Sequence, residues 1–498
     1  MNTSRNWTRP ALMAACLAAS GCSLAPQYEK PALSVPAAFK EADPAITPVP
    51  GAEAARSSQW KAAEPADTQP RGDWWTLFND PTLDTLEQEA RDANPGLAVA
   101  AARVKESRAI QQVARAALFP SLDAGFGPTR QKFSPASQFL PDDAQGPVQT
   151  FWRLQASASY EVDLFGRVSD TVAAARADTQ QSEALYRSVL LALQADVAQN
   201  YFNVRALDAE LDVLSRTVSL REDAFRLVQH RFDQGDVSEL DLAQARSELA
   251  STRSDMLTVT RARAAAEHSL AVLLGKPPAD FTFAASALQP VTAMVPPGLP
   301  STLLERRPDI AAAERAMAAA NARIGVARAA FFPSLSLTAA GGFESASLGD
   351  LMTWSSRTFL LGPLTGTALT LPLFDGGRRS GNLANARALH EESVANYRLQ
   401  VLTAFREVED SLSELRILKD QRITQDAAVN ASSRASALSR KQYMEGAVSY
   451  LDVIDNERNT LQLQRAAVRL EDAQAVSTVN LIRALGGGWE TPAAVVAH

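Results

Sequence analysis

The residue types that most often carry chemistry are sparse in this 498-residue chain and badly spaced for it. Four histidines, His230, His268, His390 and His498, are scattered. His390-Glu391-Glu392 lacks the second histidine that a zinc-binding helix needs. Gly275-Lys276 has no upstream glycine to open a phosphate loop, and no Gly-x-Ser-x-Gly elbow occurs. This pattern does not describe an enzyme or a metal centre. The tightest constellation is Leu451, Asp452, Asp455 and Arg458, shortly after Gly446. Asp452 and Asp455 fall three apart and so share one helix face, with Arg458 three beyond. Taken alone, that spacing describes a solvated helix face with one weak ion pair.

The segments that position these residues occur twice. Arg115-Ala116-Ala117-Leu118-Phe119-Pro120-Ser121-Leu122 returns 213 residues later as Arg328-Ala329-Ala330-Phe331-Phe332-Pro333-Ser334-Leu335. Gly235-Asp236-Val237-Ser238 returns as Gly446-Ala447-Val448-Ser449, 211 residues later. A period this long is a duplicated half-protein rather than a solenoid unit. The sequence therefore divides into a leader (1–21), a tether (22–72), a first repeat (73–285), a second repeat (286–488) and a tail (489–498).

Arg5 and Arg9 followed by a short apolar run read as an export signal, too short to span a bilayer. It ends in Ala19-Ser20-Gly21-Cys22, which resembles a bacterial lipobox, with Ala19 where Leu is more usual. The alternative is a plain cleavage site that leaves Cys22 a stray thiol. Lipidation is favoured, because Cys22 is the only cysteine left once Cys16 is removed with the signal. No cofactor is expected beyond covalent lipid on Cys22: diacylglycerol plus an N-acyl chain such as palmitate. In that lipoprotein resemblance, Ser23 implies sorting to the outer membrane. Removing the signal leaves 47 Lys+Arg against 56 Asp+Glu, a net −9 that argues against a nucleic-acid partner. Residues 23–72 hold eight prolines and few large apolar residues, and read as an extended tether without a core.

Within each repeat a helix opens at Asn94-Pro95 or Arg307-Pro308 and stops at Phe-Pro. A β-hairpin follows, at 120–165 and 333–374, with loops roughly at 129–150 and 344–357. From Trp152 to Leu164 even positions are apolar (Trp152, Leu154, Ala156, Ala158, Tyr160). Odd positions are polar (Arg153, Gln155, Ser157, Ser159, Glu161). That alternation matches a transmembrane β-strand in length and period. Leu335, Leu337 and Ala339 alternate likewise with Ser334, Ser336 and Thr338. Thr358–Phe374 is uncharged, and Pro363, Pro372, Gly362 and Gly366 favour a strand over a membrane helix there.

A long helix then runs from about 169 to 232, roughly 95 Å at 1.5 Å per residue. Leu190, Val197, Val204, Leu211, Val218, Phe225 and Phe232 fall every seventh place, a coiled-coil seam. A second row is interrupted by Asn200 and Arg221. Gly235 and Gly446 suit left-handed caps, and Ser238 and Ser449 suit the start of the returning helix. The two tips are then either tight turns and nothing more, or small surfaces that let a partner helix approach.

Four strands cannot close a barrel in lipid, so the chain must assemble around an axis. Two copies would give eight strands, whose interior fills with side chains; three would give 12 and room for water. The trimer thus follows if the protein is a channel.

The chain resembles the TolC-like outer-membrane factor family, in its lipoprotein (NodT-type) branch of multidrug-efflux channels. The resembling stretches are Trp74-Trp75 to Pro81, Tyr160-Glu161-Val162-Asp163-Leu164-Phe165-Gly166-Arg167, Arg306-Arg307-Pro308-Asp309, Ala327–Pro333, and Leu373-Phe374-Asp375-Gly376-Gly377-Arg378. That resemblance implies a mainly α fold with a membrane β-barrel: a trimer with 12 strands, four per chain, and a long periplasmic α-helical barrel. It implies an outer-membrane exit duct of a tripartite efflux system. A periplasmic adaptor would dock at the two tips, and an inner-membrane pump of the proton-driven RND type would supply the energy. It further implies that Leu451, Asp452, Asp455 and Arg458 form a periplasmic gate, with the aspartates in two carboxylate rings. The alternatives are a duct for type I protein secretion and, in another class, a lipid-anchored coiled-coil scaffold without a pore.

Overall fold

The computed structural model describes residues 23–31, 35–36, 38–42, 72–132, 134–139, 141, 148–289, 295, 300–361 and 368–487. The leader, Cys22 and the tail lie outside these. The elements run in the order α1 (Pro81–Ala93), α2 (Pro95–Ala116), β1 (Ser121–Lys132), β2 (Val148–Val162), α3 (Arg167–Asp233) and α4 (Glu239–Leu273). Then come α5 (Pro300–Arg306), α6 (Pro308–Ala329), β3 (Ser334–Ser345), β4 (Arg357–Leu361), β5 (Leu369–Thr370), α7 (Arg378–Met444) and α8 (Tyr450–Ala484). The duplication is visible in the lengths. α2 and α6 each have 22 residues, β1 and β3 have 12, α3 and α7 have 67, and α4 and α8 have 35.

Two compact units cut across the repeats. The first gathers 103–182 and 312–397 with the described N-terminal residues; the second gathers 33–102, 183–311 and 398–498 as far as they are described. Sequence repeats and spatial units therefore differ, because each long helix belongs to both.

The first unit holds one antiparallel sheet in the order β1-β2-β3-β4, with β5 also paired to β3. Ala156 lies opposite Ala124 on one side and Gly341 on the other; Leu154 lies opposite Phe126 and Phe343. Opposed residues share a face, so the even positions of β2 join one apolar face. Its Leu122, Phe359 and Leu361 are 81%, 80% and 76% exposed in the single chain. On the other face Arg153 pairs with Glu344 at 2.6 Å among Gln155, Ser157 and Ser159. An apolar face left this open suits hydrocarbon, not water. Among the described residues both edges of the sheet are unpaired, and such edges must be closed by neighbours in lipid.

The strands depart from expectation in two places. β1 and β2 continue through Thr129–Lys132 and Val148–Thr150, so the first loop is shorter than the sequence indicated. The fourth strand is described in two pieces. β4 pairs Ala339 with Leu361 and β5 pairs Leu335 with Leu369. Four positions separate the β3 partners but eight separate the others, so β5 is out of register with β4 along β3; residues 362–367 lie outside the described residues.

Every strand–helix junction carries two bulky apolar residues: Leu118-Phe119, Leu164-Phe165, Phe331-Phe332 and Leu373-Phe374. Asp163 caps α3, accepting from the amides of Val168 (3.1 Å) and Ser169 (2.7 Å). Asp375 does the same for α7, accepting from the amides of Gly377 and Arg379 at 3.2 Å.

The second unit holds the main core. Val197, Val204, Leu214, Leu270 and Val408 are fully buried, so the middle of the α3 heptad row is a packing seam, while Phe232 near its end is exposed. The tether expectation needs correction. Phe39 is 5% exposed and packs in the same core as Trp74, Trp75 and Leu83. A proline-rich segment can dock a large aromatic such as Phe39 without a core of its own. α1 was also missed: Asp80 caps it by accepting from the Thr82 amide at 2.9 Å, and Pro81 opens it. Among the described residues, no helix is long and apolar enough to cross a membrane.

Candidate pore gate at the hairpin tips

Each tip is a tight reversal between a long helix and its return. Gly235 and Gly446 adopt φ +81° and +77°, where a side chain is costly. The Asp236 amide donates to Arg231 O and the Ala447 amide to Gln442 O, both at 2.8 Å, closing the ends of α3 and α7. The next helices begin with matched capping boxes. The Ser449 amide donates to Asp452 Oδ2 at 3.0 Å, Ser449 Oγ donates to the same oxygen at 2.6 Å, and the Asp452 amide donates back to Ser449 Oγ at 3.3 Å. Ser238 and Asp241 repeat this at the first tip. These bonds from Ser449 hold the Asp452 carboxyl below the ordinary carboxylate range.

Between the tips lies a small apolar core of Val228, Leu242, Tyr443, Tyr450, Val453 and Ile454, against which Val237 and Val448 pack. The two valines therefore fasten the tips together and are only half exposed, which makes them poor choices for a partner contact. Gly235, Asp236, Ser238, Gly446, Ala447 and Ser449 are exposed.

Leu451, Asp452, Asp455 and Arg458 are all exposed on α8, on the side turned away from buried Val453. The structure thus brings the four together on one face. It changes the partner of the arginine. Arg458 Nε donates to Glu248 Oε1 of α4 at 3.0 Å, and its Nη2 reaches the same oxygen. Asp455 Oδ1 stands 3.7 Å from Arg458 Nη1. The i,i+3 pair expected from spacing is therefore the secondary contact. Glu248 is 6% exposed and also meets Arg221 of α3 at 3.0 Å. Arg221 further donates to the Glu248 carbonyl at 3.0 Å and to Thr252 Oγ1. One buried carboxylate thus joins three helices.

One heptad along, Arg465 Nε donates to Glu210 Oε1 at 2.6 Å, and Arg469 Nη2 adds a bond to it at 3.1 Å. α8 is laced to the first hairpin by Arg458, Arg465 and Arg469, spaced seven and then four residues apart. Sequence reasoning missed Glu248 and Glu210. The usable signal was Arg221: an arginine in a seam position requires a buried carboxylate.

A sheet with a bare apolar face and edges left open among the described residues, in a chain that also folds paired helical hairpins, describes the protomer of an outer-membrane channel. The pattern of the outer membrane efflux protein family matches residues 86–276 and 299–487, one match per repeat. The chain belongs to the outer membrane efflux protein family. It is 35% identical over 479 residues to the toluene efflux pump outer membrane protein TtgF of Pseudomonas putida, covering 96% of each chain. It is 34% identical over 478 residues to the cation efflux system protein CusC of Escherichia coli, covering 95% of this chain and 97% of that one. The crystal structure of the Campylobacter jejuni CmeC outer membrane channel superposes with a TM-score of 0.83 at 26% identity, over 95% and 96% of the chains. The protein is an efflux channel of the outer membrane. Its fold class is that of the trimeric channels, in which four strands per chain build a 12-stranded β-barrel and the long helices build a periplasmic α-helical barrel. The pore-free scaffold is set aside.

Proposed function

We propose that this channel is a passive exit duct whose periplasmic mouth is gated at the second tip by Leu451, Asp452, Asp455 and Arg458. The observation that carries the reading is their shared exposed face, tied back to the first hairpin through Arg458 and Glu248. Threefold repetition sets Asp452 and Asp455 in two carboxylate rings, which favour cations in a narrow opening. The Arg458–Glu248 link is the latch: it spans two hairpins, so freeing it lets α8 move relative to α4.

The exposed tip residues Gly235, Asp236, Ser238, Gly446, Ala447 and Ser449 form the docking surface for a periplasmic adaptor, where small side chains permit close helix approach. Val237 and Val448 hold that surface in shape. No residue constellation supports nucleotide use, so the energy comes from an inner-membrane partner, a proton-driven pump of the RND type. Cys22 carries the diacylglycerol and N-acyl lipid that anchors the chain. Relatives of nearly equal identity are named for toluene and for cations, so cargo is selected by the pump and not by the duct.

The test is the double variant Asp452→Ala/Asp455→Ala in a planar bilayer. A larger or less cation-selective conductance is expected, and unchanged selectivity and conductance together would remove the gate from this tip.

A further inference from the structure

The apolar face of the sheet ends in cations. Opposed residues share a face, so Arg130 and Lys132 of β1 continue the face of Phe126, Trp152 and Leu154. Arg357 of β4 lies opposite Phe343, itself opposite Leu154, and joins the same face. All three cations are exposed, and among the described residues none meets a carboxylate. The other face, by contrast, pairs its Arg153 with Glu344. Arg357 is also held in place. Its Nε donates to Trp354 O at 3.0 Å, and its guanidinium lies over the exposed Trp354 ring.

Their height matches a headgroup layer. Ser121 and Ser334 are equivalent in the two repeats and open β1 and β3. Arg130 stands nine residues beyond Ser121, as Phe343 does beyond Ser334, and Arg357 lies opposite Phe343. Nine residues of strand rise about 30 Å, or about 23 Å along the membrane normal at a tilt of about 40°. The outward apolar band of a membrane barrel is about 25 Å tall. The helices leave the sheet at the Ser121 end, so the cations stand at the far, external interface. Trp152 and Trp354 are beside them, at the level where aromatic rings gather.

β1 and β4 are the edges of the described sheet. Closing a barrel from three chains in the order β1-β2-β3-β4 sets β4 of one protomer beside β1 of the next. Three like charges then crowd each seam at one height, and a multivalent anion relieves their repulsion with charge-assisted hydrogen bonds. Below them the face is greasy, with Phe126 and Phe359 60% and 80% exposed in the single chain.

We infer that Arg130 and Lys132 of one protomer, with Arg357 of the next, form a site at each seam for the phosphates of an outer-leaflet glycolipid of the lipid A type, whose acyl chains lie on Phe126, Trp152 and Phe359. Three cations suit a headgroup with two phosphates better than one with a single phosphodiester. The lipid bridges two chains where the barrel closes, so it fastens the trimer from outside. The site depends on the closed barrel and not on the gate.

The test titrates the full-length trimer, freed of co-purified lipid in detergent, with bisphosphorylated lipid A and counts bound lipid by native mass spectrometry. Filling of one site per seam is expected. The triple variant Arg130→Gln/Lys132→Gln/Arg357→Gln is expected to weaken that binding on the order of tenfold or more with the trimer intact. Lipid A stripped of both phosphates is expected to bind the native trimer as weakly. Equal binding of bisphosphorylated lipid A by native and variant trimers overturns the site. Phosphatidylglycerol bound by the native trimer as tightly as lipid A overturns the choice of occupant. Should the triple variant fail to assemble, the two forms of lipid A on the native trimer decide by themselves, and equal binding of both overturns the site.

Discussion

Arg458 of α8 donates through Nε to Glu248 Oε1 of α4 at 3.0 Å, although 210 residues separate them. The bond joins the second hairpin to the first at the level of the aspartates. Glu248 also holds buried Arg221. One arginine of the cluster is buried and the other half exposed, with side chains 6% and 54% accessible. The Arg221 contact therefore carries stability, and the Arg458 contact is the one free to break.

Glu248→Gln leaves the Arg221 charge buried without a counter-charge. Removing one member of a buried pair costs about 3–5 kcal/mol. Thermal melting of the purified trimer is expected to show a clear drop in midpoint, whereas Arg458→Ala shifts it little because that side chain is mostly solvated.

Asp452 predicts a particular acid behaviour. Its carboxyl titrates below the ordinary range because Ser449 bonds to the charged form. A depressed folded value means that the cap's contribution is complete above the unfolded pKa of about 3.9 and fades only as pH falls through the lower folded value. Cation selectivity from Asp452 is therefore expected to persist below pH 4, and ion-selectivity recordings of Asp455→Asn across pH 3–7 isolate it. Ser449→Ala removes the hydroxyl bond to the carboxyl, the larger of its two stabilising bonds, and leaves the amide bond, so selectivity is expected to fade at somewhat higher pH.

Glu87 of α1 is 1% exposed, and neither carboxylate oxygen has a partner among the described residues. Burial pushes its pKa up to about 9. A raised folded value leaves stability intact below the unfolded pKa of about 4.3 and erodes it as pH rises towards 9. Glu87→Met is expected to melt higher than the native protein at pH 7–8 by up to about 4–5 kcal/mol of stability, with the gain vanishing near pH 4. Equal melting of the two at pH 8 would contradict the buried neutral acid.

Ala447 is exposed at the second tip and is not part of the buried tip core. Ala447→Arg is expected to abolish efflux in whole cells while leaving trimer and bilayer conductance intact. Val448→Asp is expected to disturb the tip itself, because Val448 packs against the apolar cluster. Susceptibility assays beside gel analysis of the trimer separate the two.

The fold was largely legible because its signals are local and duplicated. Period-2 alternation around Trp152–Leu164, Phe-Pro stops, glycine tips and the serine caps each report on a few neighbouring residues. What stayed hidden depends on distant packing. Phe39 looked like part of a solvated tether, yet its pocket is made by residues beyond Trp74. The partner of Arg458 could not be read from spacing, which offered Asp455; the better acceptor comes from another helix 210 residues earlier. Asp452 was visible as a carboxylate but not as the N3 residue of a capping box, a role its repeat counterpart Asp241 shares. The register shift opposite β3 has no sequence signature short of counting strand partners.

The most direct test of the gate is single-channel recording of Arg458→Ala against the native channel. A larger conductance or a higher open fraction is predicted, with the trimer and its melting midpoint preserved. A native conductance and open fraction in Arg458→Ala would contradict the latch.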